Sequence, residues 1–146
     1  MKNIAIMLGI LFGGFGVAKL FNVDLRQAGC IAIAAVFCFT ALGHFALSAS
    51  MLEMLPPWVP ARKAMIVFSG LFELGLAIAI MFPKTSRPAS LVAIGFLILV
   101  TPLNVYSALN CVKFGGHEAG PKYLLMRLPL QALLIGWIAW FGLRHI

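Results

Sequence analysis

Five side chains able to bind oxygen or carry a proton interrupt otherwise apolar stretches: His44, Glu73, Asn104, Arg127 and Gln131. An imidazole and a carboxylate can exchange protons, a guanidinium grips carbonyl or anionic oxygen, and carboxamides both donate and accept hydrogen bonds. Arg127 and Gln131 stand four apart, the spacing that places two side chains on one helix face. Pro129 between them frees an earlier carbonyl, and Pro102 stands just before Asn104 on a separate stretch. Glu73 and Arg127 read as a buried ion pair tying two helices together, as a pair that binds a ligand or a proton, or, chiefly for Arg127, as a side chain that snorkels to the interface. His44 has no second buried histidine or cysteine at ligand spacing; His117 and His145 read as loop and terminal residues, so no metal site is expected.

These groups matter because of the medium that the composition demands. The 146 residues are 62% hydrophobic and 10% charged, with a mean hydropathy of +1.04. A soluble domain carries about 25% charged residues. A chain of 15.8 kDa exposes too much surface to hide so much apolar side chain from water. A soluble enzyme, a disordered chain and a fibrous repeat are all excluded, which leaves a membrane protein.

Five apolar stretches, residues 4–21, 28–50, 65–82, 89–112 and 123–143, each approach the ~20 residues needed to cross the hydrocarbon. Lipid offers no partner to backbone amides, so each is predicted to be a helix, and the fold class to be an all-α multipass transmembrane bundle in one domain. Breaks are expected at residues 22–24, 56–60, 83–88 and 115–121, where Asn, Asp, Gly and Pro collect. In the first stretch, Lys2 and the small residues 16–18 resemble a secretory signal. Its length, and Gly9 and Gly13 at helix-packing spacing, predict a retained helix instead.

Let side A be the face bearing the N-terminus and the second and fourth loops. At 1.5 Å per residue, His44 lies about 9 Å from side A, Arg127 about 7 Å, Asn104 about 12 Å, Gln131 about 13 Å and Glu73 about 15 Å. All fall in one half of the bilayer, which predicts a polar cavity opening to side A. Two loops cover its mouth: residues 51–60, with Trp58 and three prolines, and residues 115–121, with His117 and Glu118. They read as an interfacial anchor and a turn, or as a lid over a hydrophobic ligand.

Charge is sparse and lopsided, with 11 Lys+Arg against 4 Asp+Glu. The basic residues stand singly or in pairs between apolar runs rather than in a stripe, which argues for headgroup anchors and against nucleic acid. Lys2, Arg62, Lys63, Lys113 and Lys122 fall on side A, and Lys19, Arg26, Lys84, Arg87 and Arg144 opposite, so the positive-inside rule assigns no orientation. Cys30, Cys38 and Cys111 form no CxxC pair and read as packing residues. No haem, flavin or iron–sulfur motif is visible, so no intrinsic cofactor is expected.

Taken together, Gly43-His44-Phe45, the Pro- and Trp-bearing residues 55–62, Gly70-Leu71-Phe72-Glu73, Pro102-Leu103-Asn104-Val105-Tyr106 and residues 125–131 resemble the DoxX family of small bacterial integral membrane proteins. The resemblance spans residues 28–141. It implies a four-helix core over about residues 28–143, with the first stretch an extra helix, in the bacterial inner membrane. It further implies association with thiosulfate or quinol oxidation and other membrane redox assemblies, hence a partner subunit or a bound quinone. Its motif positions carry over as ligand-binding candidates: His44, Trp58, Glu73, Asn104, Arg127 and Gln131. The expectation is an accessory component of a membrane redox system that binds a quinone- or lipid-like molecule in the polar cavity. The alternatives are a structural or assembly factor without ligand chemistry and a proton-coupled transporter, for which no inverted repeat is seen.

Overall fold

The computed structural model describes residues 2–114 and 116–144; Gly115 and His145 lie outside the described residues. Among these there are helices and turns only. Helix α1 runs Lys2–Leu20, α2 Leu25–Ala46, the short α3 Ser48–Leu52, α4 Arg62–Met81, α5 Pro83–Leu109 and α6 Pro121–Gly142. All but α3 are long and apolar enough to cross a membrane. The all-α bundle expected from the composition is what forms.

Helix pairing closes a ring. α2 packs on α4, α4 on α5, α5 on α6 and α6 on α2, while α1 lies outside against α2 and, more lightly, α6. The core is filled by Ile33, Val36 and Phe37 of α2, Leu76 and Ile80 of α4, Ala93 and Leu97 of α5, and Leu134 and Ile138 of α6. Helix α1 adds Ile4, Met7 and Leu11, spaced to lie on one face. Gly9 and Gly13, read as the packing pair of α1, are instead exposed and meet nothing. Gly14 makes the close approach: a Cβ there would stand 3.6 Å from Ala32 Cα.

Turn chemistry sets the joints. Asn22 takes a left-handed conformation (φ 57°) that Asn tolerates better than most residues. Asp24 then caps α2, its carboxylate accepting the amide of Arg26 at 3.1 Å. The break expected over residues 83–88 narrows to Phe82, the one extended residue between α4 and α5. Pro83 occupies the first position of α5, where its missing N–H costs nothing, and Pro88 lies inside the helix. Thr85 Oγ1 donates back to the Ala79 carbonyl at 2.7 Å, pinning that corner. At the far end, Gly120 (φ 65°) turns the chain into Pro121, which begins α6.

Candidate functional site

The side-A half of the α2–α4 contact carries a continuous row of polar side chains. Thr40 and His44 are four apart on α2, Ser69 and Glu73 four apart on α4, so each pair shares a face and the two faces meet. Thr40 Oγ1 donates to Glu73 Oε2 at 2.7 Å, and Glu73 Oε1 stands 3.5 Å from His44 Nε2. The other ring nitrogen, His44 Nδ1, lies 3.2 Å from Ser69 Oγ, whose hydroxyl also reaches the Ile66 carbonyl at 3.0 Å. Ser69 has one proton to give, so its hydroxyl serves either the Ile66 carbonyl or His44 Nδ1, and the imidazole tautomer follows that choice.

A glycine makes the approach possible. A Cβ on Gly70 would lie 2.8 Å from His44 Cβ, so only Gly lets α2 come this close. Thr40 and Ser69 are absent from the residues singled out in the sequence. Their signal was available: each stands four residues before a candidate, on the same face.

Arg127 does not join Glu73. Its Nη1 donates to Met7 Sδ of α1 at 3.7 Å, and its buried Nε has no hydrogen-bond partner among the described residues. The expected Glu73–Arg127 pair is replaced by Glu73 with Thr40 and His44, because α2, not α6, is the helix packed on the glutamate face of α4. Gln131 reaches across to α5, its amide donating to the Leu97 carbonyl and lying 3.4 Å from Thr101 Oγ1. Asn104 is buried and donates to Val100 of its own helix at 3.3 Å. Trp58 is 81% exposed at the surface of the loop before α4, as suits an interfacial anchor. Of the six candidates, the structure brings His44 and Glu73 together; Gln131 ties α5 to α6, and Arg127 faces α1.

His117, expected as a loop residue, sits in a single 3-10 turn (His117–Ala119) between α5 and α6 but is only 3% exposed. Its Nδ1 donates to the Phe114 carbonyl at 2.7 Å, its ring packs on Tyr123 at 4.4 Å between centroids, and Nε2 is left without a partner. Burial, seconded by the nearby Arg127 charge, pushes its pKa below the ordinary 6.5. The unfolded chain then binds the proton that the folded chain resists. Stability should hold above pH 6.5 and fall progressively as the pH drops below it. Melting temperatures in detergent across that range check this: His117→Phe should flatten the decline, and an unchanged slope in the variant would refute it.

A second feature lies on the outward face of α4. An open groove of about 920 Å³ runs beneath the start of that helix, lined chiefly by Leu52, Arg62, Lys63, Val67, Phe68 and Leu71. None of the six candidate residues lines it.

Five apolar spans around an intramembrane imidazole–carboxylate row define a multipass membrane protein of the helical-bundle class. The chain belongs to the family described as a domain of unknown function (DUF8561), whose model matches residues 33–142. That span runs from within α2 to the end of α6, the closed four-helix ring, and leaves α1 outside. No curated protein and no solved structure matches the chain.

Proposed function

We propose that this membrane protein is of the DoxX kind and binds a quinone- or lipid-like molecule beside the α2–α4 polar row, as an accessory component of a membrane redox system. The observation that carries this reading is the accessibility of the row. The His44 side chain keeps 18% of its surface accessible while Glu73, behind it, keeps 9%. A carbonyl oxygen arriving from the bilayer meets the imidazole first, with a carboxylate positioned to hold or supply the proton that a reduced oxygen takes up. Electrons would come from a partner redox subunit. The resemblance of its residue motifs to those of the DoxX family supports the same reading, and the inner membrane of a bacterium is the location that resemblance suggests.

The test uses purified protein in detergent and a short-tailed benzoquinone, decylubiquinone, followed by equilibrium dialysis. Wild type should bind it, and Glu73→Gln and His44→Phe should each weaken binding by roughly tenfold, the worth of one charge-assisted hydrogen bond. Absence of binding by wild type, or binding by both variants as tight as that of wild type, sinks the reading. A structural role is the second reading, favoured by the close fit of Gly70 against His44. It predicts that the same variants melt earlier and that no quinone dependence exists.

A further inference from the structure

We propose that the groove on the outward face of α4 is a binding site for one anionic phospholipid, with its phosphate at Arg62 and Lys63 and an acyl chain along Val67, Phe68 and Leu71. The groove has the polarity of such a molecule built into its length. Arg62 and Lys63 open α4 at the side-A interface, whereas Leu71 lies nine residues on, about 13 Å deeper at 1.5 Å per residue. That reach is nearly half of the ~30 Å hydrocarbon, the depth occupied by the chains of one leaflet.

Helical spacing separates this face from the protein interior. Val67, Phe68 and Leu71 share one side of α4 and are exposed, while Ile66, Gly70, Glu73 and Ala77 occupy the other and are buried. Lipid chains are therefore the apolar floor's natural cover. At the head of the groove Arg62 Nη1 donates to the Leu52 carbonyl at 3.4 Å, linking the guanidinium to the end of α3. The remaining guanidinium donors and the exposed Lys63 ammonium are available to a phosphate.

No carboxylate lining the groove competes for these cations. Glu53, next in sequence to Leu52, does not line it, and Glu73 lies on the opposite face of α4, engaged by Thr40 and His44. The helix start adds to the positive field, because its cap residue, Ala61 (φ 51°), offers no side-chain acceptor to the first amides. A zwitterionic lipid would set its own ammonium against Lys63. A headgroup with net negative charge does not, and the charge complementarity selects it.

The experiment is native mass spectrometry of the full chain in detergent, with phosphatidylglycerol and phosphatidylcholine of identical chains added in equal amount. Wild type should retain phosphatidylglycerol preferentially. The Arg62→Gln/Lys63→Gln double variant should lose that preference by roughly tenfold or more, with phosphatidylcholine adducts unchanged. Lys63→Gln alone, at an exposed position, should weaken it roughly fivefold. Equal retention of the two lipids by wild type overturns the proposal, as does a preference that survives both variants. Glycerol phosphate that binds as tightly as the lipid also overturns it, because the acyl floor would then contribute nothing. These variants leave His44 and Glu73 untouched, so the outcome is independent of quinone binding.

Discussion

Glu73→Leu should lower stability by about 2–4 kcal/mol, and His44→Phe should lower it by about 1–3 kcal/mol, yet the double variant should cost clearly less than the sum. Each single change strands a polar partner: without the carboxylate His44 Nε2 loses its partner, while Thr40 Oγ1 keeps only the Phe37 carbonyl, and without the imidazole Glu73 keeps only Thr40. Once both are gone neither group is left stranded and their lost contact is counted once rather than twice, so a coupling of about 1 kcal/mol or more should appear. Pairing Glu73→Leu with Arg127→Met should instead give additive effects within about 0.5 kcal/mol, because the guanidinium contacts Met7 and shares no partner with the glutamate. Unfolding titrations in mixed micelles would measure both cycles. Strong coupling between positions 73 and 127, with none between 73 and 44, would overturn the assignment of partners.

A second large loss is expected from a single added methyl group. Gly29 of α2 sits where the Phe141 ring fills the space a Cβ would need. The ring cannot easily withdraw: it packs against Phe15 and Trp137, with centroids 5.6 Å and 5.0 Å away. Trp137 Nε1 meanwhile donates to the Gly29 carbonyl at 3.0 Å, so a shift of α2 also loosens that bond. Gly29→Ala should therefore cost about 1–3 kcal/mol, the usual range for overpacking. In a Phe141→Ala background, which is itself costly, the same change should be nearly neutral because the space is open. A full cost in that background would show that the glycine is required for another reason.

Much of this architecture is legible along the chain. Stretches near twenty apolar residues must become helices in lipid, so the five spans, and their ends to within a few residues, follow from composition and length. The short α3 and the early start of α5 were not legible. Pro83 and Pro88 look like breakers in a linear reading, yet a proline at the first position of a helix costs no hydrogen bond, so α5 begins six residues before the expected 89. Rise per residue converts position into distance along a helix, and that conversion gives Glu73 and His44 similar levels; the two side chains do meet in the structure.

Which of those residues meet is another matter. Depth is one coordinate, and the sequence contains no information about the angle between helices until their faces are assigned. Opposite charge made Arg127 the natural partner for Glu73. The bundle instead sets the glutamate face of α4 against α2, where Gly70 lets the backbones approach and Thr40 completes the carboxylate's shell. The burial of His117 was equally hidden, because a histidine among glycines reads as solvated until α5 and α6 close around it.

By itself, then, the sequence determined that this chain forms several helices long and apolar enough to cross a membrane and that the few polar side chains within them must find partners. Both follow from the cost of putting unpaired backbone and charge into hydrocarbon, which acts on each segment separately. Only the tertiary structure decided that the acid pairs with an imidazole, that the arginine turns to α1, and that the cations opening α4 stand over an apolar groove. Those depend on how helices rotate against one another, which is settled by close packing at a few small residues rather than by hydropathy.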